Sequence, residues 1–427
     1  MLGCGAIIAF CPLLVIVVQV AMINFEGSIL DALWAVVQMG PVEWATRYAP
    51  RPTSMGFQIY GAWVAFQVLL YAFLPAPWSY GQRTPAGHLL GYRTNGLFAW
   101  FVSHAAYFAG SYYGWIDPAI IAKNWLPLII AFNAYGYFLP LMAYVKAHWA
   151  PTHAEDRKFS GSIVYDYYWG VEFNPRIGEW FDFKLFHNGR PGIVAWTLID
   201  LSFTAWQYQQ NGFVTNSIII VDILHAIYVV DFFVNEDWYL RTIDICHDHY
   251  GFYLAWGSMV WLPTMYTLQA QWLARFPNSL SPLAATIILS VGLMGYVIFR
   301  SVNHQKDLAR RTRGDCTIWG RPAEVLTARY TTSDGKQHQT ILLCSGWWGV
   351  VRHANYLGDL FFSWAACFAA GWTGGRWCVV PFTYGIFMTW LLVHRCVRDE
   401  IRCGEKYGST WEEYCKRVRW RLVPGVF

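Results

Sequence analysis

Long apolar runs broken by shorter polar stretches make up most of this 427-residue chain. A helix that crosses a bilayer needs about 20 mostly apolar residues. Ten segments approach or meet that length: 3–23, 56–74, 96–115, 125–145, 193–206, 217–234, 251–273, 282–299, 357–371 and 379–393. The segments at 193–206 and 357–371 are short for a span, so their ends are the least defined. Pro12, Pro140 and Pro263 fall within or near spans. Each predicts a kink rather than a break, because neighbouring helices satisfy the carbonyls that a proline frees. Between the last spans, residues 325–343, with Tyr330-Thr331-Thr332-Ser333-Asp334-Gly335 in the middle, read as a short β-hairpin, the Asp-Gly pair being a turn signal. The pattern as a whole predicts an all-α integral membrane protein with about ten transmembrane helices.

Composition agrees with lipid as the solvent. Hydrophobic residues make up 56% of the chain and charged residues 14%, against roughly a quarter charged in soluble proteins. Aromatic residues reach 19%, including 25 Trp, a composition suited to interfacial belts and to a flat ligand. Several of the ten cysteines lie inside apolar runs and no CxxC pair occurs, so they read as reduced thiols. The first apolar run has no basic n-region and no clear cleavage site; it reads as a span rather than a signal peptide.

Charge then orients the chain. With ten spans and the N-terminus inside, the outer loops hold Arg47, Arg51, Lys123, Arg275 and Arg376, which leaves 26 of the 31 Lys and Arg on the inner side. Positive charge concentrates in cytoplasmic loops, so the long polar stretches 146–191, 300–356 and 395–427 are expected to face the cytoplasm, and a water-soluble cofactor to enter there. A net charge of +4 is small and dispersed and gives no case for nucleic acid as a partner. There is no internal repeat, and no paired half-helix pattern of the transporter kind. The chain reads as one polytopic domain over 1–427, with its cofactor-binding elements concentrated in 300–427.

Ionisable residues are costly at membrane depth and mark candidate chemistry. The sixth apolar segment carries Asp222, His225, Tyr228 and Asp231. His225, Tyr228 and Asp231 recur about every three residues and so share a helix face; a buried proton relay and polar packing across helices both fit them. His247-Asp248-His249 invites a metal, but alternate residues diverge on a helix and no HExxH or Cys/His quartet accompanies them, so no metal is expected. Neither GxGxxG nor GxxxxGK[ST] occurs, which excludes a Rossmann site and a P-loop. A nucleotide would have to be held by side chains. Lys306 and Arg310 stand at i and i+4 of one helix face, and Arg352, Arg395, Arg398 and Lys406 add cations suited to phosphate. Trp347, Trp348, Tyr356, Tyr407 and Tyr414 offer flat surfaces on which a ring can stack. The block 394–408 embeds Asp399 and Glu400 among these cations, and the cluster reads as a nucleotide site.

At these residues the sequence resembles the sterol reductase family, which includes Δ14-sterol reductases, 7-dehydrocholesterol reductases and the membrane domain of the lamin B receptor. The motifs are Gly170-Val-Glu-Phe-Asn-Pro-Arg-Ile-Gly178, Leu342-Leu-Cys-Ser-Gly-Trp-Trp-Gly349 running into Arg352-His-Ala-Asn-Tyr-Leu-Gly-Asp359, and Leu392-Val-His-Arg-Cys-Val-Arg-Asp-Glu-Ile-Arg-Cys-Gly-Glu-Lys-Tyr-Gly408. Trp180-Phe-Asp-Phe-Lys-Leu-Phe186 and Gly189-Arg-Pro-Gly-Ile-Val-Ala-Trp196 are most similar to the 7-dehydrocholesterol reductase branch. The resemblance implies an NADPH-dependent reductase of a Δ5,7-sterol at the C7–C8 bond, in the endoplasmic reticulum membrane, with a Δ14 reductase as the nearest rival. A scaffold like the lamin B receptor would carry a chromatin-binding N-terminal domain and would tolerate loss of the cofactor residues. Carried over motif by motif, Lys306 and Arg310 would meet the cofactor phosphates. Leu343, Trp348, Asn355 and Tyr356 would line the nicotinamide side, and Asp399, Cys403, Gly404, Glu405, Lys406, Tyr407 and Tyr414 would complete the pocket. Tyr228 matches a tyrosine of the family's sterol pocket and is the first candidate for the catalytic acid, with Asp399 and ordered water feeding protons to it.

Overall fold

A computed structural model describes residues 2–331, 337–373 and 376–427. The chain packs as two compact units, Met1–Ser279 with Ala370–Pro381, and Leu280–Ala369 with Phe382–Phe427. Each apolar segment read from the sequence contains helix. Among the described residues five helices are long and apolar enough to cross a membrane: Leu2–Asn24, Ser54–Phe73, Trp125–Trp149, Asn216–Val234 and Pro282–Arg311. Pro12 and Pro140 sit inside continuous helices. The fold is mostly helical rather than all-α, for five two-stranded sheets are also present among the described residues.

In the first unit the apolar stretch at 251–273, expected as one span, is broken instead. It forms Phe252–Trp256, a π-helical turn over Gly257–Trp261, then Leu262–Met265 and Leu268–Arg275. A second π-turn, Asn188–Ile193, precedes the helix Val194–Asn211 and contains Pro191; proline has no N–H to give to a regular helical ladder. The two widened turns meet where Ser258 Oγ donates to Asn188 Oδ1 at 3.1 Å. The hairpin of Trp78–Arg83 and Leu89–Arg93 was not anticipated, and neither were the short helices Ile29–Met39 and Pro41–Tyr48.

Arg190 lies within the first π-turn and is fully buried. Its guanidinium donates to Glu236 Oε1 at 2.6 Å and to Asn95 Oδ1 at 3.0 Å, and Glu236 Oε2 accepts from the Gly96 amide at 2.8 Å. A charge removed from water this completely is tolerable only when paired and hydrogen-bonded. The network ties the Gly96–Tyr112 helix, the π-turn and the short helix Glu236–Tyr239 together.

In the second unit the helices Pro282–Arg311, Ala354–Ala370 and Thr383–Tyr407 pack closely. Gly295 and Gly358 face each other: a Cβ on Gly295 would stand 2.6 Å from the Gly358 carbonyl, and one on Gly358 would stand 2.6 Å from the Gly295 carbonyl. Such small-residue crossings let membrane helices approach backbone to backbone. Leu283, Ile287 and Val297 on the Pro282–Arg311 helix remain exposed, as a lipid-facing surface requires. The predicted hairpin forms as Val325–Thr331 paired antiparallel with Gln337–Leu343; its Asp334-Gly335 turn lies outside the described residues. The last long helix, Thr383–Tyr407, does not end at the apolar boundary near 393. It runs on to Tyr407, so the block 394–408 is helical almost throughout.

Arg190→Ala leaves Glu236 buried without its cation and is expected to cost about 3–5 kcal/mol. Thermal unfolding of the detergent-solubilised protein, followed by tryptophan fluorescence, should show a clearly lowered midpoint; an unchanged midpoint would deny the network its structural role.

Candidate nucleotide site of the second unit

The C-terminal end of the Pro282–Arg311 helix presents Ser301, Val302, Gln305 and Lys306 to the segment that follows the hairpin. Trp347 Nε1 donates to Ser301 Oγ at 3.0 Å, and Trp348 Nε1 to the Val302 carbonyl at 2.9 Å. The Trp347 amide donates to Gln305 Oε1 at 2.9 Å. Gly346 makes this turn possible: its φ is +62°, and a Cβ there would lie 2.3 Å from Gln305 Oε1. The resulting cradle holds the Lys306 ammonium 4.3 Å from the centre of the Trp348 ring, a cation–π contact. Leu343 and Trp348 share a buried cluster with Val302, Ala309, Ile318, Val351 and Ala354.

The last long helix forms another side of the site. Cys403 Sγ lies 3.8 Å from Asp399 Oδ2, one turn apart. Tyr407 and Cys403 pack with Trp411, Tyr414 and Val418 under the hairpin residues Leu326 and Leu342. The Tyr414 hydroxyl donates to the Trp348 carbonyl at 3.3 Å, and burial raises its phenol above the ordinary range. Tyr414 therefore holds the Trp348 turn in place as a neutral donor. Burial also raises the Tyr407 phenol, with Cys403 adding to the rise and the nearby Arg310 opposing it. Lys406 sits 3.9 Å over the Tyr330 ring of the hairpin.

Arg352 joins these parts. Its guanidinium makes an ion pair with Glu400 and donates to the Val418 and Arg419 carbonyls at 2.6 and 2.9 Å. Arg421 Nε donates to the second Glu400 oxygen at 2.7 Å. The backbone follows the same course: Val351 pairs with Trp420 in a parallel bridge, and the His353 amide donates to the Arg421 carbonyl at 2.9 Å. One partly buried carboxylate thus fixes residues 351–353 and the C-terminal segment to the Thr383–Tyr407 helix.

The structure brings Lys306, Trp348, Leu343, Asp399, Cys403, Tyr407 and Tyr414 into one region, with Arg310 exposed at its edge. Gly404 is half-buried and Glu405 is exposed. Asn355 and Tyr356 begin the Ala354–Ala370 helix, and Tyr356 stacks on His353 with ring centres 5.2 Å apart and planes 5° from parallel. His353 was not singled out from the sequence. It is buried, and burial pushes its imidazole down to about 4, against the pull of Asp399; Lys306 and Arg352 act in the same direction as burial. His353 Nε2 and Asn355 Oδ1 are buried with no hydrogen-bond partner among the described residues.

Tyr228 belongs to the first unit, on the Asn216–Val234 helix. Its ring lies 5.4 Å from Trp196, which also contacts His225 at 5.0 Å. His225 Nδ1 is 2.8 Å from Asp200 Oδ2 on the neighbouring helix, and Asp222 accepts from Thr204 at 2.7 Å. Asp231 is engaged by Asn235 at the helix end. Of the expected face, His225 and Tyr228 thus share Trp196. The partner of His225 is Asp200, which the sequence reading had not linked to it. In the His247–His249 segment, His247 Nδ1 lies 2.8 Å from Asp248, and His249 Nδ1 lies 3.0 Å from the Val171 carbonyl.

Glu400→Gln weakens the hold on Arg352 and is expected to lower the unfolding midpoint more than Arg421→Ala, because Arg421 is 41% exposed and Arg352 only 6%. Differential scanning fluorimetry of the two variants side by side checks the order, and equal midpoints would contradict it.

Comparison with known proteins gives the family. The chain matches the ergosterol biosynthesis ERG4/ERG24 family over residues 7–427. It is 49% identical to a 7-dehydrocholesterol reductase of Xenopus laevis, over 99% of this chain and 91% of that protein. Similarity to the 7-dehydrocholesterol reductase of Arabidopsis thaliana is 35% identity over 99% and 96% of the two chains. A Δ14-sterol reductase of Methylotuvimicrobium alcaliphilum is 36% identical over 88% of this chain and 84% of its own length. The chain therefore belongs to the ERG4/ERG24 family of sterol reductases.

Proposed function

We propose that this protein reduces the C7–C8 double bond of Δ5,7-sterols, the reaction of a 7-dehydrocholesterol reductase, with NADPH as the reductant. The observation that carries this is the nearly full-length 49% identity to a 7-dehydrocholesterol reductase, against 36% to a Δ14-sterol reductase. We place it in the endoplasmic reticulum membrane with the nucleotide site facing the cytoplasm, in keeping with the excess of inner-side Lys and Arg. The intact cluster of Lys306, Trp348, Asp399 and Tyr407 favours an enzyme over a scaffold.

The residues of the second unit suit NADPH. Lys306 is held over an indole, Arg310 is exposed beside Tyr407, and two buried polar atoms, His353 Nε2 and Asn355 Oδ1, have no partner among the described residues. Lys306 and Arg310 are proposed to hold the phosphates, Arg310 being suited to a 2′-phosphate by its planar fork. Leu343, Trp348, Asn355 and Tyr356 are proposed to hold the ring, with Asp399, residues 403–407 and Tyr414 completing the site. NADPH, when bound, supplies a hydride.

A ring alkene is a poor hydride acceptor, so a proton must reach the other carbon. Tyr228 is proposed to deliver it. A phenol with an ordinary pKa near 10 is a weak acid and needs a hydrogen-bonded neighbour. His225, about one turn away on the same helix, holds Asp200 and adds titratable groups near the phenol.

Membranes containing the protein, given NADPH and either a Δ5,7- or a Δ8,14-sterol, should convert the first, with the product identified by mass spectrometry; conversion of the Δ8,14-sterol alone would overturn the Δ7 assignment. In the same assay Tyr228→Phe should abolish reduction while NADPH still binds, and retained turnover would remove Tyr228 from the mechanism.

A further inference from the structure

The cation-rich site has donors in abundance and few acceptors. Lys306, Arg310 and Arg352 donate only, Glu400 is committed to Arg352 and Arg421, and the Trp348 carbonyl accepts from Tyr414. Two buried polar atoms stand apart, Asn355 Oδ1 and His353 Nε2, the latter an acceptor when the ring proton is on Nδ1, neither with a partner among the described residues. Native proteins leave few such groups, because a buried polar atom without a partner loses its water and gains nothing in return. An orphan inside a candidate site is therefore a mark of a ligand.

His353 is built for a fixed contact. Its side chain is 4% exposed, its ring lies parallel to Tyr356, and its amide is tied to the Arg421 carbonyl. Ring orientation is thereby set from both sides. Lys306 and Asp399 are its electrostatic neighbours, which places it among the proposed cofactor residues. A neutral imidazole that keeps a lone pair suits an uncharged N–H donor. Among the groups of a reduced nicotinamide nucleotide, the primary carboxamide offers two such hydrogens.

We propose that His353 is a further cofactor-binding residue whose Nε2 accepts a hydrogen bond from the carboxamide N–H of the dihydronicotinamide ring, fixing which way the ring is turned. This rests on the NADPH assignment above. His353 acts on orientation and does not itself move a proton to the sterol.

The test uses the full-length protein in detergent without sterol, with dissociation constants from calorimetry for NADPH, its reduced 3-acetylpyridine analogue, which lacks the carboxamide N–H, and 2′,5′-ADP, which lacks the nicotinamide half. Wild type should bind NADPH on the order of ten-fold more tightly than the acetylpyridine analogue, the size of one hydrogen bond. His353→Phe, which keeps the stacked ring, should bind the two equally and bind 2′,5′-ADP as wild type does. Three results overturn the inference: wild type that does not distinguish NADPH from the analogue, His353→Phe that still distinguishes them, or His353→Phe that weakens 2′,5′-ADP as much as NADPH. The first needs no variant, so misfolding of His353→Phe leaves the inference open to refutation. Wild type that binds neither NADPH nor 2′,5′-ADP would refute the nucleotide assignment itself, and this inference with it.

Discussion

A guanidinium taken out of water must be given its anion in the same place, and in the second unit that requirement falls on Arg352 and Glu400. Arg352 is 6% exposed. Glu400 lies on the last long helix, so wherever that helix places its carboxylate, residues 351–353 must follow. The two carbonyls of residues 418 and 419 that share the guanidinium bring the C-terminal segment with them. Trp348, His353 and Tyr356 occupy their positions because the chain between the hairpin and the Ala354–Ala370 helix is tethered at Arg352. Breaking such a pair strands a buried charge, whereas an exposed pair contributes little.

The same constraint recurs in the first unit. Arg190, in a π-turn that Pro191 prevents from closing as a regular helix, is satisfied by Glu236 and Asn95. Asp200 Oδ2 and His225 Nδ1 meet between two helices. Low-dielectric surroundings punish an unpaired polar group heavily, which leaves ionisable side chains there either paired or in use. Tyr228, beside the His225–Asp200 pair through Trp196, is the one the proposed chemistry employs.

Much of the fold was legible because lipid imposes a length and a composition on every span, and each of the ten apolar segments does contain helix. The hairpin at 325–343 could be read from its Asp-Gly turn signal. The cluster of Lys306, Trp348, Asp399 and Tyr407 was legible as cations interleaved with aromatics, and then as family motifs. What could not be read depended on partners distant in sequence. Arg352 and Glu400 are 48 residues apart, Arg190 and Glu236 are 46 apart, and Asp200 and His225 are 25 apart. That the helix of the last apolar segment continues through the charged block 394–408 was not legible, because hydropathy falls there while Cys396, Cys403 and Tyr407 still pack inward. His353 escaped notice because a histidine inside a motif carries no sign of whether its nitrogens are satisfied.

Isotope transfer tests the proposed division of labour most directly, with the cofactor supplying hydride and the protein supplying the proton. The protein is given a Δ5,7-sterol with NADPH deuterated at both C4 positions in ordinary water, and separately with ordinary NADPH in heavy water. The account predicts one deuterium in the reduced sterol from each arm, on the two carbons of the former double bond. A reduced sterol that carries no deuterium from the cofactor would contradict it.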